Sequence, residues 1–194
     1  PGPISSQTEQ DTRRFADFCR IPVFDPSSPE EAYKMIGEAF EYSEKYNTPV
    51  LFRPTTRVCH AYASIDNCDS PSPKKYEGFV KDSKKWVIFP RLSFANHIMI
   101  EKRNVEIGKD FSTYSANKAE GVNSEKAVVT SGISYAYTKE CLKDYPDVKL
   151  IKIATAYPFP EDFVLSSLEG AKEVLCIEEL SPFIEEQILK LAGK

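Results

Sequence analysis

The richest combination of chemically active side chains lies in one short stretch. The segment Arg53-Pro54-Thr55-Thr56-Arg57-Val58-Cys59-His60 brings together two guanidiniums, two threonine hydroxyls and an imidazole directly after an apolar run. Arginine forks match the geometry of carboxylate and phosphate groups. We therefore predict that Arg53 and Arg57 bind an anion or face another protein. The alternative is that both arginines pair with acidic neighbours within the fold.

Two further segments follow predicted strands, where parallel α/β proteins usually place ligands. The segment Thr130-Ser131-Gly132-Ile133-Ser134 has one glycine instead of a G-x-G-x-x-G or Walker A pattern, so it is interpreted as a tight strand-to-helix turn. Glu178 and Glu179 are adjacent carboxylates that either orient a partner group or serve the N-terminus of the next helix. With only two histidines in the sequence, a Ser–His–Asp triad has no positional support.

The cysteines do not indicate a metal site. All five are scattered and form no C-x-x-C pair, which argues against a zinc ribbon or a ferredoxin-like cluster motif in this segment. Cys59, His60 and Cys68 are the one local group, and their spacing matches no metal template. Cys141 and Cys176 lie within apolar patterns and are predicted to be buried thiols. Reduced thiols in the cytoplasm are the default interpretation.

Composition limits the classes of partner. The 194 residues are 41% hydrophobic and 28% charged, with a net charge of −4. This balance is typical of a globular protein and favours neither nucleic acid nor an anionic membrane as a partner. No apolar run reaches the roughly 18 residues of a membrane span. The first residue is Pro1 and the first methionine is Met35, so we expect either that a tag was removed or that the chain is a piece of something longer.

The first third is predicted to alternate helix and strand. Its first helix starts from a capping box of Ser5 or Ser6 with Glu9. Its second helix starts at Pro29, after the N-cap Ser28. The predicted buried stripe of that helix is Ala32, Met35, Ile36, Ala39, Phe40 and Ser43. The predicted elements are a helix reaching 20, a strand over 21–24, a helix ended by Asn47 and a strand over 49–52.

The remainder is predicted to pass from a linker into a parallel layer. Residues 65–85 are rich in Pro, Ser, Asp and Lys and are predicted to be exposed. Residues 86–90 are interpreted as a short docking strand or a hydrophobic anchor, and 91–115 as a helix. Ser181 is predicted to cap the final helix. Strands over 126–130, 150–154 and 173–177 alternate with helices, which predicts a parallel sheet with right-handed crossovers.

Several stretches resemble a known family. SSQTEQDTRRFADF, IPVFDP, SPEEAYKMIGEAFEYSEKYNTPVL and RPTTRVCH are similar, in this order, to the alpha subunit of indolepyruvate:ferredoxin oxidoreductases. The later stretches FVKDSKKWVIFPR, VVTSGISYAY, ATAYPFPEDFV and VLCIEELSPFIEEQ resemble that subunit too. The resemblance covers essentially the whole chain, and SSQTEQD and TTRVCH are its specific parts.

The resemblance implies part of a thiamine-diphosphate-dependent 2-oxoacid:ferredoxin oxidoreductase. Such enzymes decarboxylate an aryl pyruvate, join the acyl group to coenzyme A and pass electrons through iron–sulfur (4Fe-4S) clusters to ferredoxin. It implies an α/β fold in three parts: 1–64 from the C-terminal half of a thiamine pyrimidine-binding domain, 65–124 as a linker with a helical segment, and 125–194 as a transketolase C-terminal-like domain. The activating glutamate, the Mg²⁺–diphosphate motif and the cluster cysteines are expected elsewhere, so the chain alone is expected to be inactive.

The same resemblance implies site residues and partners. No residue here is expected to be catalytic or to bind metal. The partners implied are the beta subunit, ferredoxin, coenzyme A and an aryl 2-oxoacid, in a cytoplasmic homo- or hetero-oligomer. Two alternatives stay open: a non-catalytic assembly module, and the same role in a pyruvate or 2-oxoglutarate oxidoreductase. The residues expected to line the cofactor cleft, bind an anion or bridge subunits are Ser5, Ser6, Gln7, Gln10, Arg53 and Arg57.

Overall fold

Two β-sheets organise the fold. The computed structural model describes residues 10–66 and 78–193. The strands are β1 (Val23–Phe24), β2 (Leu51–Phe52), β3 (Lys118–Glu120), β4 (Lys126–Ser131), β5 (Lys149–Ile153) and β6 (Glu173–Ile177). The smaller sheet is the parallel pair β1-β2. The larger has the order β3-β5-β4-β6, with β4 parallel to both neighbours and β3 antiparallel to β5.

Helices cover and connect these sheets, which confirms the predicted α/β class. They are α1 (Thr12–Cys19), α2 (Pro29–Tyr46), α3 (Thr56–Cys59), α4 (Ser83–Trp86), α5 (Pro90–Ser112), α6 (Gly132–Cys141), α7 (Glu161–Ser167) and α8 (Phe183–Ala192). In the part of the chain that the structure describes, none of these helices is long and apolar enough to cross a membrane.

The ends of α2 confirm the predicted start and stop signals. The Ser28 hydroxyl accepts the backbone N–H of Glu31 at 3.2 Å, and Pro29 occupies the first turn. Asn47 ends the helix in the left-handed conformation, with φ of 47°. The buried stripe is narrower than predicted, because Met35 is buried whereas Phe40 is 68% exposed. Ile36 is exposed as well, so the prediction was wrong for both side chains.

The first helix starts later than predicted. Ser5, Ser6 and Glu9 lie outside the described residues, and α1 begins at Thr12 with Asp11 as its N-cap. The Asp11 carboxylate accepts the backbone N–H of Arg13 at 3.1 Å, which supplies the cap that the serines were predicted to give. The helix therefore turns Arg13 and Ala16 inward, while its two phenylalanines, Phe15 and Phe18, point outward.

Three further features of the described segments differ from the predicted elements. The loop after α5 contains β3, which adds an antiparallel edge to the larger sheet. Residues 86–90 form no strand, since Trp86 ends α4 and Pro90 starts α5, so the docking strand is wrong and the alternative of a hydrophobic anchor stays a prediction. Ser181 does not cap α8, which begins at Phe183 with its first N–H groups bound by Glu178. Part of the predicted linker, 67–77, lies outside the described residues.

The two sheets share their hydrophobic cores. One core joins Ala16 and Val23 to Val129 and Ile151 of the larger sheet. A second core joins β1, α2 and α5 through the buried residues Phe24, Met35, Ala39, Ile107, Phe111 and Ala154. Backbone hydrogen bonds link the same regions, because the N–H of Asp25 donates to the carbonyl of Ala154 at 2.8 Å. The carboxyl ends of β1, β2, β4 and β6 consequently meet at one edge.

Candidate functional site

Charged side chains from three strand ends and from the start of α1 converge at this carboxyl edge. Asp25 follows β1, Arg53 follows β2, and Glu178 follows β6, while Asp11 and Arg13 come from the start of α1. All five side chains are at most 7% exposed. We call these five residues the buried charge network. It occupies the position where parallel α/β folds usually bind ligands.

Arg53 is held by partners inside the protein. Its Nη1 donates to both carboxylate oxygens of Asp25, at 3.0 and 3.1 Å, and its Nε donates to the Thr12 hydroxyl at 3.1 Å. Burial raises the pKa of Asp25, while the guanidiniums of Arg53 and Arg13 oppose that shift. Arg53 thus forms the internal acid pair that was the alternative interpretation. Its predicted anion-binding role remains a prediction.

Arg13 ties α1 to the segment after β6. Its guanidinium donates to Asp11 through Nε at 2.9 Å and Nη2 at 2.6 Å, and to Glu178 through Nη1 at 2.7 Å. Nη2 also donates to the backbone carbonyls of Glu179 and Ser181. The guanidinium carbon lies 5.4 Å from the centre of the Phe183 ring. A single buried cation therefore fixes the loop that leads into α8.

The two acids bound by Arg13 have further structural partners. Glu178 accepts the backbone N–H groups of Ile184 at 2.8 Å and Glu185 at 3.0 Å, so it caps α8. The Ser181 hydroxyl donates to Asp11 at 2.7 Å. Burial by itself raises the pKa of Asp11, but hydrogen bonds from Arg13 and Ser181 outweigh it and hold that pKa well below its usual range.

Gly132 allows the start of α6 to approach the network. Its φ is +52°, a conformation that L side chains rarely adopt. A Cβ at this position would stand 3.2 Å from Oδ1 of Asp25. The predicted tight strand-to-helix turn is therefore confirmed, and the glycine is needed because the Asp25 carboxylate packs directly against its backbone.

Gly132→Ala is expected to lower the free energy of unfolding by about 1–3 kcal/mol, because alanine is strained at positive φ and crowds Asp25. Urea unfolding followed by circular dichroism measures the change. Gly37→Ala is the matched control, since Gly37 lies within α2 and a Cβ there meets nothing. Gly37→Ala is expected to leave the free energy of unfolding unchanged or to raise it. Equal effects of the two substitutions would contradict the role given to Gly132.

The comparisons with known proteins find relatives that are similar to this chain over nearly its whole length. No family model matches it. Indolepyruvate oxidoreductase subunit IorA of Thermococcus kodakarensis is 37% identical over 196 residues, which cover 97% of this chain and 30% of the relative. The subunit of the same name from Methanothermobacter thermautotrophicus is 34% identical over 197 residues, covering all of this chain and 32% of the relative. The chain is similar to part of these IorA subunits. It spans about a third of the length of these relatives.

A solved structure supports the fold of this chain. A 2-oxoglutarate:ferredoxin oxidoreductase from Magnetococcus marinus, determined with 2-oxoglutarate, coenzyme A and succinyl-CoA bound, superimposes with a TM-score of 0.57. The match covers 88% of this chain and 37% of that one, at 15% identity. At that identity the match shows a common fold. The predicted division at residues 64 and 124 remains a prediction.

Two predicted site residues, Arg57 and Gln10, are exposed. Arg57 is exposed, and its Nη1 donates to the Tyr137 hydroxyl at 3.4 Å while its guanidinium lies 5.7 Å from the ring centre. Gln10 lines a cavity of about 330 Å³ with Asp11, Leu180 and Ser181. Ser5, Ser6 and Gln7 lie outside the described residues. The cofactor-binding roles of all six residues remain predictions.

The described acids and cysteines form no cluster suited to a metal ion. Across residues 10–66 and 78–193, no three His, Cys, Asp or Glu side chains come together to hold a metal ion. The acids of the network are already bound by guanidiniums and backbone N–H groups. Burial raises the pKa of the Cys176 thiol to about 12, so it stays protonated at neutral pH. Cys141 is exposed, contrary to the prediction that it is buried.

Sequence reasoning also missed the buried cation Lys152. Lys152 of β5 is 3% exposed and forms an ion pair with Glu31 at the start of α2. Its ammonium lies 4.8 Å from the centre of the Tyr135 ring, and burial lowers its pKa while Glu31 opposes the shift. The two residues line a cavity of about 360 Å³. The one available signal is the lysine within the apolar run Leu150-Ile151-Lys152-Ile153.

Proposed function

We propose that this chain is part of an oxidoreductase subunit that oxidatively decarboxylates an aryl 2-oxoacid, indolepyruvate, to the acyl-CoA. Ferredoxin is the proposed electron acceptor, and thiamine diphosphate, Mg²⁺ and iron–sulfur clusters the proposed cofactors of the complete enzyme. The observation that carries the proposal is similarity to several IorA subunits, which extends over 97% of the chain in the Thermococcus kodakarensis relative. The shared fold with a 2-oxoacid:ferredoxin oxidoreductase supports it.

Within that enzyme we assign this chain a positioning role. At its carboxyl edge the acids and arginines of the buried charge network bind each other. None of these five side chains is accessible enough to exchange a proton with a substrate, since each is at most 7% exposed. The network therefore fixes the edge, and the groups that react with the oxoacid are supplied by other parts of the enzyme.

Arg57 is the described residue that best fits an anionic partner. Its guanidinium projects from the short helix α3 and is exposed, with Tyr137 beneath it. An aromatic face orients a guanidinium while leaving its N–H groups available. The anions of the proposed reaction are the phosphates of coenzyme A and the carboxylate of the 2-oxoacid. We propose that Arg57 binds one of these anions.

Arg57→Ala in the complete enzyme is expected to raise the KM for coenzyme A or for the oxoacid by about tenfold or more, since a hydrogen bond to a charged group contributes about 1.5–3 kcal/mol. Steady-state kinetics with a viologen acceptor measures both constants. Arg91→Ala is the control, because Arg91 is also exposed but lies at the start of α5. Unchanged KM values and unchanged assembly of the Arg57 variant would overturn its role.

The isolated chain is expected to show no turnover with indolepyruvate, coenzyme A, thiamine diphosphate and a viologen. Measurable turnover would refute the assignment of the reacting groups to other parts of the enzyme. The non-catalytic assembly module remains a second candidate. One observation favours it: the segment around Trp86 exposes a run of large apolar side chains. A calorimetric signal with thiamine diphosphate or coenzyme A would favour the binding role instead.

A further inference from the structure

A buried lysine connects the elements that surround Arg57. The side chain of Lys152 is 3% exposed, although it carries a charge and lies within the larger sheet, where it pairs in register with Thr130. Lysine is almost never buried to this extent unless its ammonium is bound. Lys152 is not one of the five residues of the buried charge network, so that network does not account for its burial. Its own contacts indicate what it does.

The first contact of Lys152 fixes the start of α2. Its ammonium forms an ion pair with Oε1 of Glu31. The other carboxylate oxygen of Glu31 accepts the backbone N–H of Ser27 at 2.7 Å and the Ser27 hydroxyl at 2.8 Å. Ser27 lies two residues after Asp25, whose carboxylate binds Arg53. Lys152 therefore holds the loop between β1 and α2, and that loop carries the acid that anchors the segment after β2.

The second contact of Lys152 supports the helix α6. The ammonium lies 4.8 Å from the centre of the Tyr135 ring, which is the distance of a cation–π interaction. Tyr135 and Tyr137 are two residues apart and so lie about 200° apart around the axis of α6. Tyr137 thus projects from the other side of the helix, where the Arg57 guanidinium lies 5.7 Å from its ring centre. Lys152 and Arg57 consequently contact opposite sides of the same helix.

The position of Arg57 depends on both of these supports. Arg57 lies on α3, four residues after Arg53, and Arg53 is bound by Asp25. The helix α6 begins at Gly132, whose backbone packs against the same Asp25 carboxylate. The helix α3 also contacts α2. A shift of either the loop after β1 or α6 therefore moves Arg57 relative to Tyr137.

We propose that Lys152 is a positioning residue for anion binding by Arg57. It holds the start of α2 and the helix α6 in one fixed relation, so that the guanidinium is already oriented over Tyr137 when the anion binds. Binding then costs less side-chain entropy than it would for a free arginine. This role rests on the proposed function, because it takes Arg57 as the residue that binds coenzyme A or the oxoacid.

Lys152→Met in the complete enzyme is expected to raise the same KM that Arg57→Ala raises, by about threefold or more, with kcat nearly unchanged. Steady-state kinetics with a viologen acceptor measures KM and kcat. Lys149→Met is the matched control, because Lys149 is also buried on β5 but donates to Asn123, and it is expected to change neither constant. Lys152→Arg is expected to keep most of the affinity, since a guanidinium retains the charge and the aromatic contact. The cavity of about 360 Å³ beside Lys152 has room for it.

A double variant separates positioning from a general loss of stability. Because Lys152 acts through Arg57, adding Lys152→Met to Arg57→Ala is expected to raise that KM no further, whereas two independent effects would multiply. Multiplied effects overturn the proposal. An unchanged KM in Lys152→Met overturns it as well, provided that Arg57→Ala raises that KM. If Arg57→Ala leaves the KM for coenzyme A and for the oxoacid unchanged, the proposed function fails instead.

The orientation of Arg57 can also be measured without any substrate. In an NMR spectrum of the 194-residue chain, the Cδ protons of Arg57 sense the ring current of Tyr137, and Tyr137→Leu gives their signal without that ring. Lys152→Met is expected to move the signal toward the position seen in Tyr137→Leu, and Lys149→Met is expected to leave it in place. Circular dichroism verifies that each variant is folded. An unmoved signal in folded Lys152→Met overturns the positioning role, whatever the kinetics show.

Discussion

Arg13→Ala is expected to lower the free energy of unfolding by about 3–5 kcal/mol. The substitution removes the only described cation in contact with both Asp11 and Glu178, whose side chains are 7% and 6% exposed. Two carboxylates would then be left in a buried site without their charge partner. The backbone carbonyls of Glu179 and Ser181 would lose a donor as well. Urea unfolding followed by circular dichroism measures the change.

The neighbouring arginine provides the control for this substitution. Arg14 pairs with Glu186, but both side chains are about 40% exposed, so water screens the interaction. Arg14→Ala is therefore expected to lower the free energy of unfolding by only a small fraction of the loss expected for Arg13→Ala. Arg13→Lys is expected to remain strongly destabilised, because an ammonium does not reproduce the fork that reaches both acids. Similar losses for Arg13→Ala and Arg14→Ala would contradict the role of the buried cation.

The sequence predicts those elements whose signals are local. Ser28, Pro29 and Asn47 define the ends of α2 through hydrogen bonds and backbone conformations that involve only adjacent residues. The strands β4, β5 and β6 are apolar runs bounded by turns, and each is found within one or two residues of its predicted position. These features need no knowledge of the tertiary structure, which is why pattern reasoning finds them.

The elements that were missed depend on contacts distant in sequence. The strand β3 is short and polar, and it exists because Lys118 to Glu120 pair with Leu150 to Lys152 of β5. Ser181 has the type of a cap residue, yet its hydroxyl is used by Asp11, which is 170 positions away. Glu178 takes over as the cap of α8 because the same carboxylate is already held by Arg13. Neither arrangement can be read from neighbouring residues.

The sequence indicates where the candidate site lies better than it indicates which residues form it. Arg53 and Glu178 follow strands, and parallel topology places such residues at one edge. Arg13 and Asp11 were missed because they come from a helix, where a cation facing inward is unusual and has no sequence signature. The sequence also left open whether Arg53 and Arg57 share one environment. The fold separates them, since Arg53 is buried against Asp25 and Arg57 is exposed beside Tyr137.

Asp25→Asn is expected to destabilise the protein by about 3–5 kcal/mol, because it leaves the guanidinium of Arg53 buried without a carboxylate in direct contact. The remaining acid near Arg53 is Asp11, whose Oδ1 is 4.0 Å away and already bound by Arg13. Thr12 alone does not neutralise the charge. Adding Arg53→Met is expected to recover most of the loss, since an apolar side chain of similar length replaces an ion pair at little net cost. Urea unfolding of both single variants and the double variant gives the coupling energy.

The pH dependence of Arg53→Met alone separates a charge effect from a packing effect. Without Arg53, burial is expected to raise the pKa of Asp25 further above that of the unfolded chain, which is about 3.9. The folded state then binds more protons than the unfolded state, so the variant loses stability as the pH rises from about 4 through the folded pKa. The double variant with Asp25→Asn has no carboxylate at this position to titrate, so its own free energy of unfolding should lack this trend. If the loss of stability in Arg53→Met does not vary with pH, the whole effect of the arginine comes from packing.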